Sequence, residues 1–290
     1  MNDKLCVFST YPYTDIDALA CAVAYAELND CAAFLPGPMN ATIPESVRRW
    51  DFEYSADFPA AAERFVMVDF SDPAFITPRI PVEKIIKVYD HHTGFEDYWG
   101  PRGRIEFIGA CATMIYELFG ERAPGPTTAN LLMTAIFSNT LGFCSSITTD
   151  RDRDAYEKLR RFATLPDDWI ERYYSETEKC ILGDMGGTIK NDLKIMDGGS
   201  LTVGQLELWD AKALLNDSKF MTVLESVMSG YDRWLMTMPS ISEGKNYLIT
   251  NDTDLKKALS EKFGAKWSGR VGYTPAVCLR KEFRKAFNWK

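Results

Sequence analysis

The sequence predicts an α/β protein with a parallel sheet, and three observations carry that expectation: short apolar runs, helical patterns between them, and an acidic residue soon after each run. The runs at residues 4–9 (KLCVFS), 65–69 (FVMVD) and 85–89 (IIKVY) have the length of buried strands and are bounded by turn residues. After the first, Ala18, Leu19, Ala22, Val23 and Ala26 recur at helical spacings of three and four, with Asp15 placed as a cap or first-turn acid. Further helices are expected around Ala112 to Phe119, around Ala129 to Phe137, and from about residue 150 to 162. Residues 38–60 and 92–104 read as irregular.

Past residue 180 the texture changes. Gly183, Gly186 and Gly187 interrupt the chain, and the runs LKIM, LTVGQLELW, RWLMTM and NYLIT then alternate with helix-like stretches at 216–229 and 252–263. This reads as a second, smaller α/β domain, giving domains at 1–183 and 188–290. A chain of 290 residues with 46% apolar content can supply two ordinary cores. The formal charge of −8 argues against broad electrostatic capture of a nucleic-acid duplex or an anionic membrane, both of which need a basic surface. A local basic pocket remains compatible with it. Seven scattered cysteines without a CxxC pair point to reduced thiols, not to structural zinc. The N-terminus lacks the form of an export signal and no run reaches the length of a membrane span, so a soluble, cytoplasmic protein is expected. The oligomeric state stays open, a homodimer included.

The chemistry concentrates where strands end. In a parallel sheet ligands gather beyond the carboxyl ends of the strands, where Asp15, Asp17, Asp69 and the run Asp90-His91-His92 all fall. The chain has only two histidines and they are adjacent. Singly, an Asp at a strand end is ordinarily a cap or turn former. Together these residues make an oxygen-and-imidazole set suited to manganese, magnesium or cobalt. Several buried acids in one crevice repel one another unless a cation neutralises them, so a bound divalent metal is the economical explanation.

The segments TDIDALACAVAYAEL, VMVDFSDP, VYDHHTGFEDYW, GACATMIYELF and SNTLGFCSSITTDRDR follow one another in the order of the DHH phosphoesterases, and the first domain resembles that superfamily throughout. DLKIMDGGSLTVGQLELWD and SGYDRWLMTM are similar to the DHHA2-like second domain of the branch holding manganese-dependent family II pyrophosphatases and exopolyphosphatases. The resemblance implies an active site in the cleft between the domains. It implies one or two Mn2+ (or Mg2+/Co2+) ions and a metal-activated water attacking a phosphoanhydride or phosphoester in a small phosphorylated substrate. Carried onto this chain, Asp15 belongs to the first metal, Asp17 and His91 to the second, and Asp69 bridges them. Asp90 orients the histidines, and His92 meets the phosphate as donor or acid. Arg280 and Lys281 become the phosphate-binding residues of the second domain, with Arg284 and Lys285 as weaker candidates.

The pattern is broken in places. Tyr11 stands where the family has a metal-binding histidine, and a phenol with a pKa near 10 is a weak ligand. Asn139 replaces an Asp, keeping an oxygen ligand and losing a charge. Phe70 follows Asp69 where the pyrophosphatases have histidine, and Ser200 stands near an expected phosphate-binding lysine. Either one tight metal sits at Asp17, Asp69, His91 and Asn139 with a second arriving with substrate, or the chain has become a catalytically impaired phosphate or nucleotide binder. An oligonucleotide or cyclic-dinucleotide phosphodiesterase is the alternative enzyme, disfavoured because no GGH segment and no histidine after His92 occurs.

Overall fold

In the structure, a computed structural model that describes residues 4–289, the first apolar runs pair as the central strands of a parallel sheet. Its strands are β1 (Leu5–Phe8), β2 (Ala32–Phe34), β3 (Arg64–Val68), β4 (Ile85–Asp90) and β5 (Gly103–Ile105), in the spatial order β2-β1-β3-β4-β5. Every neighbouring pair is parallel. All four residues of β1 are buried, as expected for a strand covered on both faces. One face is packed by Phe8, Phe34, Phe65, Met67, Phe70, Ile85 and Trp99.

The helices of this part are α1 (Ile16–Asn29), the single turns α2 (Glu45–Arg48) and α3 (Glu96–Trp99), α4 (Cys111–Glu117), α5 (Pro126–Asn139) and α6 (Asp150–Leu159). Helix α1 starts where the sequence places it: the Asp15 side chain caps it by accepting the Ala18 N–H at 2.9 Å. Ile16 through Tyr25 are all buried, so α1 is wrapped by sheet and helices, not half-exposed. The strand order reverses direction at β1, with β2 on one side and β3 on the other. That reversal opens a crevice beyond the carboxyl ends of β1 and β3, the place where doubly wound sheets take ligands.

The rest of the chain comprises α7 (Trp169–Gly183), α8 (Met185–Asp192), α9 (Ala211–Leu215), α10 (Phe220–Met228), α11 (Thr253–Phe263) and α12 (Arg280–Phe287). Its strands are β6 (Lys194–Met196), β7 (Leu201–Gln205), β8 (Trp234–Ser240), β9 (Lys245–Thr250), β10 (Lys266–Ser268) and β11 (Val271–Thr274), in the order β10-β11-β9-β8-β7-β6. Only β7 and β8 are parallel; the other pairs are antiparallel. Leu201, Val203, Leu235, Leu248, Leu259 and Phe283 are among the residues of its own core.

Two compact units result, the first running to Phe143 with Ile147–Ile170, the second comprising Cys144–Ser146 and everything from Glu171. The division expected near residue 183 thus falls before most of α7. The Glu178 carboxylate accepts the backbone N–H groups of Trp209 and Asp210 at 2.7 and 3.0 Å, and the Tyr174 ring lies 5.8 Å from that of Trp209, which ties α7 to the second unit. The glycines at 183–187, read as a break, mark a helix restart: Asp184 caps α8 through the Gly187 N–H, and a Cβ on Gly187 would lie 2.1 Å from the Asp184 carboxylate. The helix expected at 216–229 is α10, which starts at Phe220 after a turn in which Asp217 takes the Lys219 N–H; α9 lies just before that stretch. The stretches read as irregular hold α2, α3 and β5.

Candidate metal centre

Four elements deliver the candidate ligands. Asp15 and Asp17 come from the start of α1, Asp69 from the turn after β3, Asp90 from the last position of β4, and His91 and His92 from the loop beyond it. The Asp69 backbone is left-handed (φ 63), a conformation that Asp and Asn tolerate better than most residues, so the chain turns sharply into the crevice there. The two loops are tied together: Ser71 Oγ donates to the His92 carbonyl at 3.2 Å and the Trp99 indole donates to the Ser71 carbonyl at 2.7 Å.

Asp17 is fully buried and accepts two N–H groups at the start of α4, from Cys111 (2.9 Å) and Ala112 (2.8 Å). His91 is 2% exposed, and its Nδ1 lies 3.0 Å from the Gly109 carbonyl. A carbonyl only accepts, so Nδ1 carries a proton, and Nε2 is the ring atom left to coordinate a metal when the imidazole is neutral. That Nε2 faces Asp69 Oδ1 at 3.5 Å and Asp17 Oδ2 at 3.7 Å. Asp69 Oδ1 is buried with no hydrogen-bond partner. Three electron-pair donors therefore converge on one point, the arrangement a cation would fill.

The electrostatics agree. Burial, followed by the nearby charges of Asp17 and Asp15 and, more weakly, Asp90, pushes the Asp69 carboxyl well above the usual carboxylate range. Cys21 Sγ lies 3.5 Å from Asp17 Oδ1, and burial raises the thiols of Cys21 and Cys111 above the ordinary value, so both stay protonated. The donor set is oxygen and imidazole, which suits a hard or borderline divalent ion.

His92 is placed differently from His91. Its side chain is 46% exposed, and its Nδ1 is 2.8 Å from Asp90 Oδ1, which also accepts the His92 N–H at 3.0 Å. Ligand atoms of Asp69, His91 and His92 all lie within 4.8 Å of one another, so His92 stands close enough to join the donors as well as to meet a substrate. Asp90 is fully buried, and its Oδ2 has no partner. Asp15 is engaged as the cap of α1. Tyr11 is 44% exposed, and Asn139, the last residue of α5, donates its amide to the Ala135 carbonyl at 3.4 Å. In the second unit Arg280 is 8% exposed and its guanidinium grips Asp192 through both nitrogens (2.6 and 3.2 Å); Lys281 beside it is half-buried.

No protein-family model matches the chain. Over 92% of its length it is 26% identical to a manganese-dependent inorganic pyrophosphatase of Methanocaldococcus jannaschii, of which it covers 93%. It is 24% identical over 92% of each chain to a candidate enzyme of the same kind from Clostridium acetobutylicum. A crystal structure of a candidate family II inorganic pyrophosphatase from Methanococcus jannaschii superposes with a TM-score of 0.71 at 25% identity, covering 98% of this chain and 99% of that one. The chain is a relative of the family II, manganese-dependent inorganic pyrophosphatases. An exopolyphosphatase-related protein of Bacteroides fragilis shares the two-domain fold at a TM-score of 0.54 and 13% identity, covering 99% of this chain and 91% of that one. The α/β class, the parallel first sheet and the DHH-type resemblance read from the sequence all hold. No helix among the described residues is long and apolar enough to cross a membrane.

Proposed function

We propose that the protein is a metal-dependent phosphohydrolase that cleaves a phosphoanhydride or a small phosphoester at the centre formed by Asp17, Asp69 and His91. One observation carries the reading: the buried Asp69 Oδ1, which has no hydrogen-bond partner, faces Nε2 of a histidine whose Nδ1 lies against the Gly109 carbonyl. The names of the similar proteins support manganese as the metal and the phosphoanhydride as the bond broken. Asp17, Asp69 and His91 would hold one ion tightly, with Asn139 as an added oxygen. Asp15 and Tyr11 would offer a second ion only weak support.

A divalent cation held by Asp17, Asp69 and His91 would neutralise the carboxylates and would supply a water acidic enough to be nucleophilic at neutral pH. The chain's own share falls to its side chains. Asp90 orients the His92 ring through Nδ1, which leaves Nε2 to serve the phosphate or the leaving group. Arg280 and Lys281 are the proposed phosphate contacts of the second unit. Arg280 would exchange Asp192 for phosphate to act there.

The second reading, a phosphate- or nucleotide-binding protein with impaired turnover, draws on Tyr11 and Asn139 standing where the family resemblance implies stronger ligands. Phosphate release from pyrophosphate, tripolyphosphate and nucleoside triphosphates, measured with manganese, separates the two. Turnover by the parent chain that is lost in Asp69→Asn supports the hydrolase. No turnover in the parent, with activity gained in the double variant Tyr11→His/Asn139→Asp, supports the impaired binder.

A further inference from the structure

The carbonyl that fixes the His91 ring belongs to a short segment with no room to move. Gly109, Ala110, Cys111 and Ala112 present four consecutive N–H groups, and two buried carboxylates take all of them. Asp17 accepts from Cys111 and Ala112. Asp152, the third residue of α6 and 43 positions away, accepts from Gly109 at 3.1 Å and from Ala110 at 3.3 Å. Asp152 is fully buried and takes three further hydrogen bonds: Thr113 Oγ1 at 2.6 Å, and the Thr149 N–H and Oγ1 at 2.8 Å each. A Cβ on Gly109 would lie 2.6 Å from Thr140 Cγ2 and 2.7 Å from Asp152 Oδ2, so the loop meets the carboxylate closely enough to require glycine.

A helix cap explains only part of this arrangement. The capping box of α6 needs Asp152 to accept from Thr149, which it does. Nothing in capping asks the same carboxylate to reach out of its helix and hold Gly109 and Ala110. The consequence of that reach falls on His91, because the Gly109 whose N–H is pinned by Asp152 is the residue whose carbonyl takes the His91 Nδ1–H. Histidines that bind metals are oriented by the partner of their second nitrogen, and here that partner is a backbone carbonyl with no rigidity of its own. Asp152 supplies the rigidity. The segment is hung between a carboxylate that faces the proposed metal and one that does not.

We infer that Asp152 is a positioning residue for the metal centre, acting through Gly109 to hold the His91 ring with its proton on Nδ1 and Nε2 turned toward Asp69 and Asp17. Its consequence for metal affinity rests on the function proposed above; its effect on the His91 ring does not. Loss of the anchor lets the Gly109 carbonyl drift and the ring rotate, and the ligand atom leaves the point on which the two carboxylates converge.

The test compares Asp152→Ala with Thr149→Ala, which removes the threonine side-chain half of the same capping box and leaves the Gly109 contact in place. The chain has two histidines, so the imidazole N–H protons are read directly by NMR in metal-free protein, with His92→Gln assigning them. A hydrogen-bonded, solvent-protected Nδ1–H resonance of His91 is expected in the parent and in Thr149→Ala and is lost to exchange in Asp152→Ala. Manganese affinity by calorimetry falls about tenfold in Asp152→Ala and stays near the parent value in Thr149→Ala, tenfold being the low end for partners of metal-bound histidines. If Asp152→Ala does not fold, Asp152→Asn keeps the side chain's size, gives up the charge that five donors share, and is read the same way with a smaller expected loss. A protected His91 resonance and unchanged manganese affinity in the folded Asp152 variant overturn the inference, as do equal losses in both variants. A parent that binds no manganese but shows the resonance difference would overturn the proposed function and leave the positioning role standing.

Discussion

Replacing Asp69 by Asn should make the metal-free protein more stable while abolishing its response to metal. The residue is 6% exposed, its Oδ1 has no hydrogen-bond partner, and it faces His91 Nε2 at 3.5 Å. An amide keeps the shape and tolerates the left-handed backbone (φ 63), and its NH2 can donate across that gap. A buried polar atom left unsatisfied costs about 1–3 kcal/mol, so the gain should have that size. In a unit of this length each kcal/mol raises the melting temperature by about 2–4 °C. The parent recovers through metal: at a hundredfold excess over Kd, binding adds about 2.7 kcal/mol. Thermal melts with chelator and with manganese should therefore show the order of stability reversing. The sign with pH is also fixed. Burial and neighbouring acids raise the Asp69 pKa in the folded state, so the folded chain holds a proton that the unfolded chain has released, and this group's contribution falls as pH rises through the folded value. Stripped parent and variant should converge in acid and separate as pH climbs. A stripped Asp69→Asn that melts below the stripped parent, or that still gains stability from manganese, would refute the reasoning.

Three further outcomes follow from the same geometry. His92→Gln should leave manganese affinity within a few-fold of the parent, because the main donors remain, while lowering the rate of phosphate release by about 10²–10⁴, the usual contribution of a positioned acid; a large loss of metal affinity would place His92 among the ligands instead. Arg280→Ala should destabilise the second unit by about 3 kcal/mol, the low end for breaking a buried pair since the Asp192 side chain is 28% exposed, and a double-mutant cycle with Asp192→Asn should recover most of that in urea unfolding. Tyr11→His/Asn139→Asp should raise the manganese stoichiometry measured by calorimetry, since the first change gives the weakly supported second ion a strong donor and the second adds a charge beside the tightly held one.

Much of the first unit was legible because its signals are local. The β1 and β3 runs, buried along nearly their whole length, the β4 run, the period of α1 and the Asp15 cap can each be read within about a dozen residues. β2 and β5, at three residues each, carry no period to read. Helix α8 was hidden because glycine reads as a breaker, whereas Gly187 is there to let the Asp184 cap close. The metal-facing residues could be named from the sequence through their DHH-like pattern, yet the reason His91 faces them could not. The Gly109 carbonyl lies 18 residues away and the Asp152 carboxylate that anchors it 43 further, and an Asp in the first turn of a helix reads as a cap and nothing more. Cys21 and Cys111 likewise read as scattered thiols until the fold sets both beside Asp17.

The central claim is that Asp17, Asp69 and His91 form a divalent metal centre, and calorimetric titration of metal-stripped protein with manganese tests it most directly. The account predicts one tight, saturable equivalent per chain that disappears in Asp69→Asn. The absence of saturable binding up to roughly millimolar manganese, far weaker than the micromolar affinity expected of a working site, would contradict it.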